Sequence, residues 1–138
     1  MKTFFDSSSF AKRFVEEPGS QDVDDLCQET SMLGLSVICI PEIISALNRR
    51  LREKRFTRQD YLKAKHRLAE EIKDAQIINL IPAVIDTSIV LLESHTLRSM
   101  DALHIACALE WQATTFVTSD KKQDKAAKKA GLQTKYIA

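Results

Sequence analysis

Hydrophobic positions along the chain fall into two kinds of run. Short apolar or β-branched runs alternate with longer segments in which apolar residues recur every three or four positions. "KTFF" (2–5) is the first short run and ends at Asp6; "LSVICI" (35–40), "QIINLI" (76–81) and "TTFVTS" (114–119) follow, and "QTKYI" (133–137) reads as a final edge strand. Between them lie helical segments with legible ends. "SSSFAKRFVEE" (7–17) is closed by Pro18-Gly19, Ser20 caps the next helix, and Pro41 opens "PEIISALNRRLREK" (41–54). Thr57 heads a long charged helix, Pro82 opens "PAVIDTSIVLLESH" (82–95), a further helix starts near Ser99, and "KKQDKAAKKAG" (121–131) stops at Gly131.

Strands that are apolar throughout, separated by helices, predict a parallel sheet buried on both faces. The expected fold is α/β: a three-layer α/β/α sandwich with a mostly parallel central sheet, formed by residues 1–138 as one unit. No internal repeat, linker or low-complexity segment interrupts it.

Composition narrows the function little. At 138 residues, 44% hydrophobic and 28% charged, the chain has the make-up of a soluble globular protein, and no apolar stretch is long enough to span a membrane. "MKTFFDSSSF" reaches a charge too early for a secretory signal, so a cytoplasmic location is expected. Three cysteines (Cys27, Cys39 and Cys107) without a CxxC pair point to reduced, mostly buried thiols. The net charge of +1 hides an uneven distribution: six acids and no Lys or Arg lie between Glu16 and Glu29, whereas bases crowd into "RRLREKRFTR" (49–58) and "KKQDKAAKK" (121–129).

Four acids change the picture. Asp6 ends the first strand, Glu42 follows "SVICI" at the second position of the helix expected at Pro41, Asp101 lies in the first turn of its helix, and Asp120 follows "TFVTS". A parallel sheet brings all its strand C-termini to one edge, where open α/β sheets place their ligands. Taken singly, each acid has a structural reading, as a helix cap or as a complement to a helix dipole. Together, carboxylates in one crevice repel one another unless a cation offsets them, and oxygen-only ligands select a hard ion such as Mg²⁺ or Mn²⁺. Such an ion lowers the pKa of a bound water and neutralises charge on a phosphoryl group, which makes phosphodiester hydrolysis the expected chemistry.

Several neighbours have candidate supporting roles. In "FFDSSS", one of Ser7 and Ser8 is expected to cap the following helix and the other to hydrogen-bond a carboxylate or a water of the site. Thr118 and Ser119 flank Asp120, and Asp124 lies one turn into the last helix, where a solvated position is the simpler reading. His104, one turn after Asp101, is expected to be a hydrogen-bonded packing histidine rather than a ligand, and His66 and His95 look incidental. Arg49, Arg50, Lys121 and Lys122 follow two of the acids along their helices and are candidates to hold flanking phosphates of a substrate. Zinc-site spacing is lacking beyond the pair His104 and Cys107. A G-x-S-x-G elbow and a glycine-rich phosphate loop are both missing from a chain with three glycines. "QIINLIPAV" offers no aspartate for a receiver-like phosphoacceptor.

In order, "FFDSSSFAKRFVEEPGS", "PEIISALNRRL", "LRSMDALHIACAL" and "TFVTSDKK" resemble a PIN domain, and within it the VapC-like ribonuclease toxins of type II toxin–antitoxin systems. The resemblance runs from about residue 3 to the C-terminus. It implies a Mg²⁺- or Mn²⁺-dependent endoribonuclease in which Asp6, Glu42, Asp101 and Asp120 match the family's four acids, and Ser8 matches its small polar supporting position. Asp124 lies where some members carry a further acid. It also implies a homodimer and a small VapB-like antitoxin that covers the acidic crevice. A PIN-type nuclease for RNA processing and a non-catalytic protein-binding module are the competing readings.

Overall fold

In the computed structural model, which describes all 138 residues, five strands pair in the order β3-β2-β1-β4-β5. They are β1 (Lys2–Phe5), β2 (Met32–Ser36), β3 (Gln76–Ile78), β4 (Thr115–Thr118) and β5 (Thr134–Tyr136), and every pairing is parallel. Successive side chains of a strand face opposite sides of the sheet, so Phe4 and Phe5 enter different cores. Phe5 packs with Phe10, Leu35, Ile43 and Val117. On that side lie α1 (Ser7–Phe10, continued by a 3₁₀ turn Ala11–Arg13), α2 (Ser20–Glu29), α3 (Cys39–Arg52) and α4 (Arg58–Lys73). Phe4 stacks on Phe116 at 5.7 Å between ring centroids and packs with Val84, Ile105 and Ala127. That side is covered by α5 (Pro82–Ser94), α6 (Ser99–Trp111) and α7 (Lys121–Lys129). The expected three-layer α/β/α sandwich is the observed architecture.

The chain builds outward from β1 through β2 to β3, then crosses back to add β4 and β5 on the other side. The order therefore reverses between β1 and β4, and a crevice opens at such a point beyond the carboxyl ends of the strands. Asp6 follows β1 and Asp120 follows β4.

Most expected boundaries hold. Thr57 and Asp60 form a reciprocal capping box on α4, both hydrogen bonds at 3.0 Å. Pro82 occupies the first turn of α5, and Gly131, at φ +99°, ends the last helix. Several boundaries differ: the third strand stops at Ile78 rather than residue 81, and Gly19, not Ser20, is the N-cap of α2. The second strand runs from Met32 to Ser36, not over 35–40, because it passes through Gly34. A Cβ there would lie 2.5 Å from the Trp111 ring, so the glycine lets α6 lay its indole on the sheet. The residues after Ser36 then turn into α3, which begins at Cys39 with Pro41 third. Proline is tolerated there because N–H groups of a first turn have no helical partner. The first helix is also shorter than expected. Ser20 Oγ accepts from the Glu17 N–H at 3.0 Å and donates to the Val15 carbonyl at 2.9 Å, drawing residues 15–17 out of helical geometry.

All three cysteines are free; Cys39 and Cys107 are buried, and burial pushes the Cys39 thiol up to about 12. No helix is long and apolar enough to cross a membrane.

The Gly34–Trp111 contact is directly testable. Gly34→Ala should lower stability by about 1–3 kcal/mol through overpacking, seen as a fall in Tm of roughly 4–10 °C by calorimetry. Gly34→Ala/Trp111→Leu should lose less than the sum of its two single changes, since the second makes room for the first. Strict additivity would mean that the two positions are not coupled.

Candidate active site

Asp6 is the N-cap of α1, its backbone extended at φ −80° and ψ 175°, and it is only 3% exposed. A carboxylate so buried must be met by donors. Its Oδ1 accepts from the Ser9 N–H at 2.9 Å, from Ser9 Oγ at 2.9 Å and from Ser8 Oγ at 2.8 Å. Thr118 Oγ1 donates to Oδ2 from the end of β4. Two of these hydroxyls also accept, Ser8 from the Ser119 N–H at 3.0 Å and Thr118 from the Asp120 N–H at 3.1 Å. The first acid is thereby tied to the turn that carries the last.

Asp120 is the N-cap of α7; its Oδ1 accepts from the N–H groups of Lys122 at 2.8 Å and Gln123 at 3.2 Å. The capping reading of Asp6 and Asp120 is thus correct as geometry, and it positions both acids at the sheet's carboxyl edge. Neither Ser7 nor Ser8 caps α1, contrary to expectation, because Asp6 does so itself. Both serines instead donate to carboxylates.

Glu42 lies in the first turn of α3. Its Oε1 is 2.6 Å from His104 Nε2 and 2.6 Å from Ser7 Oγ. His104 is buried on α6, 2% exposed, and Nε2 is the nitrogen that meets Glu42 while Nδ1 has no partner. Burial works to raise the Glu42 carboxyl, but the hydrogen bonds from His104 and Ser7 outweigh it and hold the group below the usual carboxylate range. His104 is the packing histidine expected from its apolar setting, with an added task of holding Glu42. Sequence reading missed that pairing and the part played by Ser9; neither leaves a local signal, since Glu42 and His104 are 62 residues apart.

Asp101, in the first turn of α6, contrasts with Glu42. Its nearest cation is the exposed Arg98, with Nε 3.9 Å from Oδ2. Burial, followed by the charges of Asp120 and Asp6, pushes the Asp101 carboxyl above its usual range against the opposing pull of Arg98 and His104. Asp101 and Glu42 line a crevice of about 580 Å³ together with Leu97, Arg98, Ser99 and Met100. All four candidate acids therefore lie along the carboxyl edge of the sheet, and the field of two of them reaches a third.

The remaining candidates are distributed around this edge. Asp124 is not the solvated residue expected: its side chain is 15% exposed, Oδ2 pairs with Lys128 at 3.2 Å, and Oδ1 is buried without a partner. Lys121 and Lys122 are exposed in the first turn of α7. Arg49 is exposed two turns along α3 from Glu42, whereas Arg50 is engaged by Glu17 at 3.1 Å and lies over the Phe56 ring.

The donor set suits a hard divalent ion in chemistry, being carboxylates and hydroxyls. No three His, Cys, Asp or Glu side chains converge into a finished coordination shell. Such a shell is not needed for Mg²⁺, which keeps several waters and binds through one or two carboxylates. The repulsion that acts on Asp101 is the kind that a cation offsets.

The fold and site define an open parallel α/β protein with acids along the carboxyl edge of its sheet, two of them in one crevice. The family model of the PIN domain matches residues 3–129, and the chain belongs to the PIN domain family. Solved structures share the architecture. VapBC2 from Rickettsia felis, bound to a DNA fragment from its promoter, aligns over the whole of both chains with a TM-score of 0.73 and 14% identity. VapC20 from Mycobacterium tuberculosis, a Sarcin-Ricin loop cleaving toxin, aligns over 94% of this chain and 95% of its own, at TM-score 0.70 and 15% identity. FitAcB from Neisseria gonorrhoeae covers 96% and 95%, with a TM-score of 0.70 and 15% identity. At these identities the likeness is one of fold. Comparison with curated proteins gives no match.

The site's electrostatics have a thermal signature. A carboxyl raised by folding favours the folded state below its unfolded pKa, and that contribution is lost as pH rises through the folded value. Ionised Asp101 is thus a cost at neutral pH, and Asp101→Asn should raise the Tm of metal-free protein by up to about 4 °C, about 1 kcal/mol. The gain should shrink as pH falls below the carboxylate range. Mg²⁺ should raise the Tm of the wild type and have less effect on the variant. A lower Tm for metal-free Asp101→Asn at pH 7 would contradict the repulsion.

Proposed function

We propose that this protein is a divalent-metal-dependent endoribonuclease, the toxin of a type II toxin–antitoxin pair. The observation that carries the reading is the placement of four acids, from four separate stretches of chain, along the carboxyl edge of one PIN-type sheet. The VapBC and VapC structures among its fold relatives support the toxin assignment and a VapB-like antitoxin as partner.

Asp6, Asp101 and Asp120 hold Mg²⁺ or Mn²⁺, directly or through water, with Glu42 as a fourth ligand or as the group that orients the attacking water. The ion supplies charge neutralisation at the phosphoryl oxygens and lowers the pKa of a bound water. The protein supplies position. Ser8, Ser9 and Thr118 fix Asp6, and His104 and Ser7 fix Glu42 with one oxygen engaged. Thr118 also ties Asp6 to the Asp120 backbone, and Asp124 pairs along α7 with Lys128. Lys121, Lys122 and Arg49 hold flanking phosphates, with Arg50 contributing charge from its place beside Glu17. The protein works in the cytoplasm as a homodimer. A stripe of exposed apolar residues along α5 (Ile81, Ile85, Ile89 and Leu92) supports pairing with a second copy.

The deciding experiment is cleavage of a mixed RNA pool by purified, antitoxin-free protein with Mg²⁺, Mn²⁺ or EDTA, beside Asp101→Asn. Cleavage should need the metal and fall by at least about a hundredfold in the variant. Expression of the wild type should arrest growth, and that of the variant should not. Harmless expression together with a folded protein that neither cuts RNA nor gains stability from Mg²⁺ would favour a binding module. For the assembly, Ile89→Lys should shift the mass measured by light scattering from dimer to monomer.

A further inference from the structure

A second cleft opens beside the acids, on the other side of the segment that leads into α6. It encloses about 330 Å³ between α7 and the end of α5, lined by Ser94, His95, Thr96, Lys122, Lys125 and Lys129. The three lysines are spaced three and four residues apart and share one face of the helix. None of them is in an ion pair, whereas Lys128, on another face, pairs with Asp124 at 3.2 Å. No acid lines the cleft. Three ammonium groups on one wall, without a carboxylate opposite, form a site of positive potential that favours an anion. The hydroxyl of Thr96 and the ring of His95 add hydrogen-bonding groups on the facing wall, where Ser94 Oγ donates to the Val90 carbonyl at 2.8 Å.

Its placement says which anion. The cleft takes residues 94–96 of the segment between α5 and α6, and the acid crevice takes residues 97–101 with Glu42. The two hollows are contiguous along one stretch of chain. The other wall behaves likewise, because the Lys122 N–H is bonded to Asp120 Oδ1. One wall of the basic cleft thus begins beside Asp120, and the other runs on along the chain into the crevice that holds Asp101. From Lys122 to Lys129 the helix rises about 10 Å, longer than one phosphate. No Phe, Tyr or Trp side chain lines the cleft; its one ring is the His95 imidazole. These features fit an extended sugar–phosphate backbone better than a free nucleotide.

We infer that the cleft formed by Lys122, Lys125 and Lys129 with Ser94, His95 and Thr96 binds the phosphodiester backbone of the RNA strand on one side of the cut. The proposal rests on the ribonuclease reading above and extends it by giving the strand a path along α7. Contact is to phosphates, so it adds affinity without sequence choice.

The test is direct binding in EDTA, where no cleavage occurs. Anisotropy of a fluorescent single-stranded RNA 12-mer is titrated with full-length protein at several salt concentrations. Lys125→Ala/Lys129→Ala should weaken binding about tenfold and reduce the salt slope by about 1.4, the value for two lost phosphate contacts on a single strand. Lys125→Arg/Lys129→Arg should restore most of both. A folded alanine variant with unchanged affinity and slope, beside a wild type that binds and cuts RNA, would overturn the cleft and leave the nuclease intact. A wild type that neither binds nor cuts RNA would instead overturn the parent reading and the cleft with it. Stronger competition by polyglutamate than by an oligonucleotide of equal charge would also overturn the proposal, in favour of an acidic protein partner.

Discussion

The burial of Asp6 is the constraint around which the rest of the structure is arranged. A carboxylate that is 3% exposed survives in a fold only if donors replace its water. The donors come from two places that the sheet must bring together, the first turn after β1 and the last residue of β4. That requirement holds β1 and β4 in register at their carboxyl ends, where Asp6 N–H also bonds the Val117 carbonyl at 3.1 Å. Ser9 spans the same junction, its N–H donating to Asp6 Oδ1 and its hydroxyl lying 2.9 Å from Val117 O. The switch point of the sheet is thus closed by a polar network rather than by packing. Its hydroxyls are donors and acceptors at once, so the first acid and the Ser119–Asp120 turn move as one body.

Much of this could be read from residues in order. The strands declared themselves by apolar runs, and parallel topology followed from their lack of alternation. Once the sheet is parallel, Asp6 and Asp120 must share an edge, and Pro41 and Ser99 bring the helices carrying Glu42 and Asp101 to it. What could not be read depends on contacts between distant segments. Gly34 looks like a strand breaker until Trp111, 77 positions later, is known to lie on it. Ser7 and Ser8 look like caps until Glu42 and Asp6 are seen to claim their hydroxyls. The helix α6 is apolar on nearly every side, so its periodicity gave no face on which to place His104. Local chemistry predicted where the acids stand; only the packed structure reveals what holds each of them.

The holding differs from acid to acid, and the difference bears on what each can do. Asp6 has its oxygens engaged by hydroxyls and a backbone N–H, and Asp120 has one oxygen engaged by its own helix. Four donors fix Asp6 in place, whereas Asp120 keeps its second oxygen for a further partner. Asp101 has no such support. It feels the charges of Asp120 and Asp6, with an exposed arginine 3.9 Å away. An environment that disfavours its charge is one in which a bound cation gains most, because the ion removes a repulsion as well as adding an attraction.

Glu42 stands apart from the three aspartates. Two donors converge on a single oxygen, His104 from the core and Ser7 from the turn after β1, both at 2.6 Å. The buried imidazole is locked by packing against Phe4 at 6.4 Å between centroids, so the glutamate is aimed by the hydrophobic core itself. A carboxylate so fixed is suited to holding a water at a set angle, a task that tolerates little drift. The aspartates, one carbon shorter and tied to helix starts, are suited to holding an ion at the sheet edge. On the proposed nuclease reading, removing His104 would take away one of the two donors on Glu42 and leave the donors of Asp6 and Asp120 untouched. A structural histidine and an aiming histidine differ in that respect: the first would cost stability alone, the second would cost turnover in a protein that still binds metal.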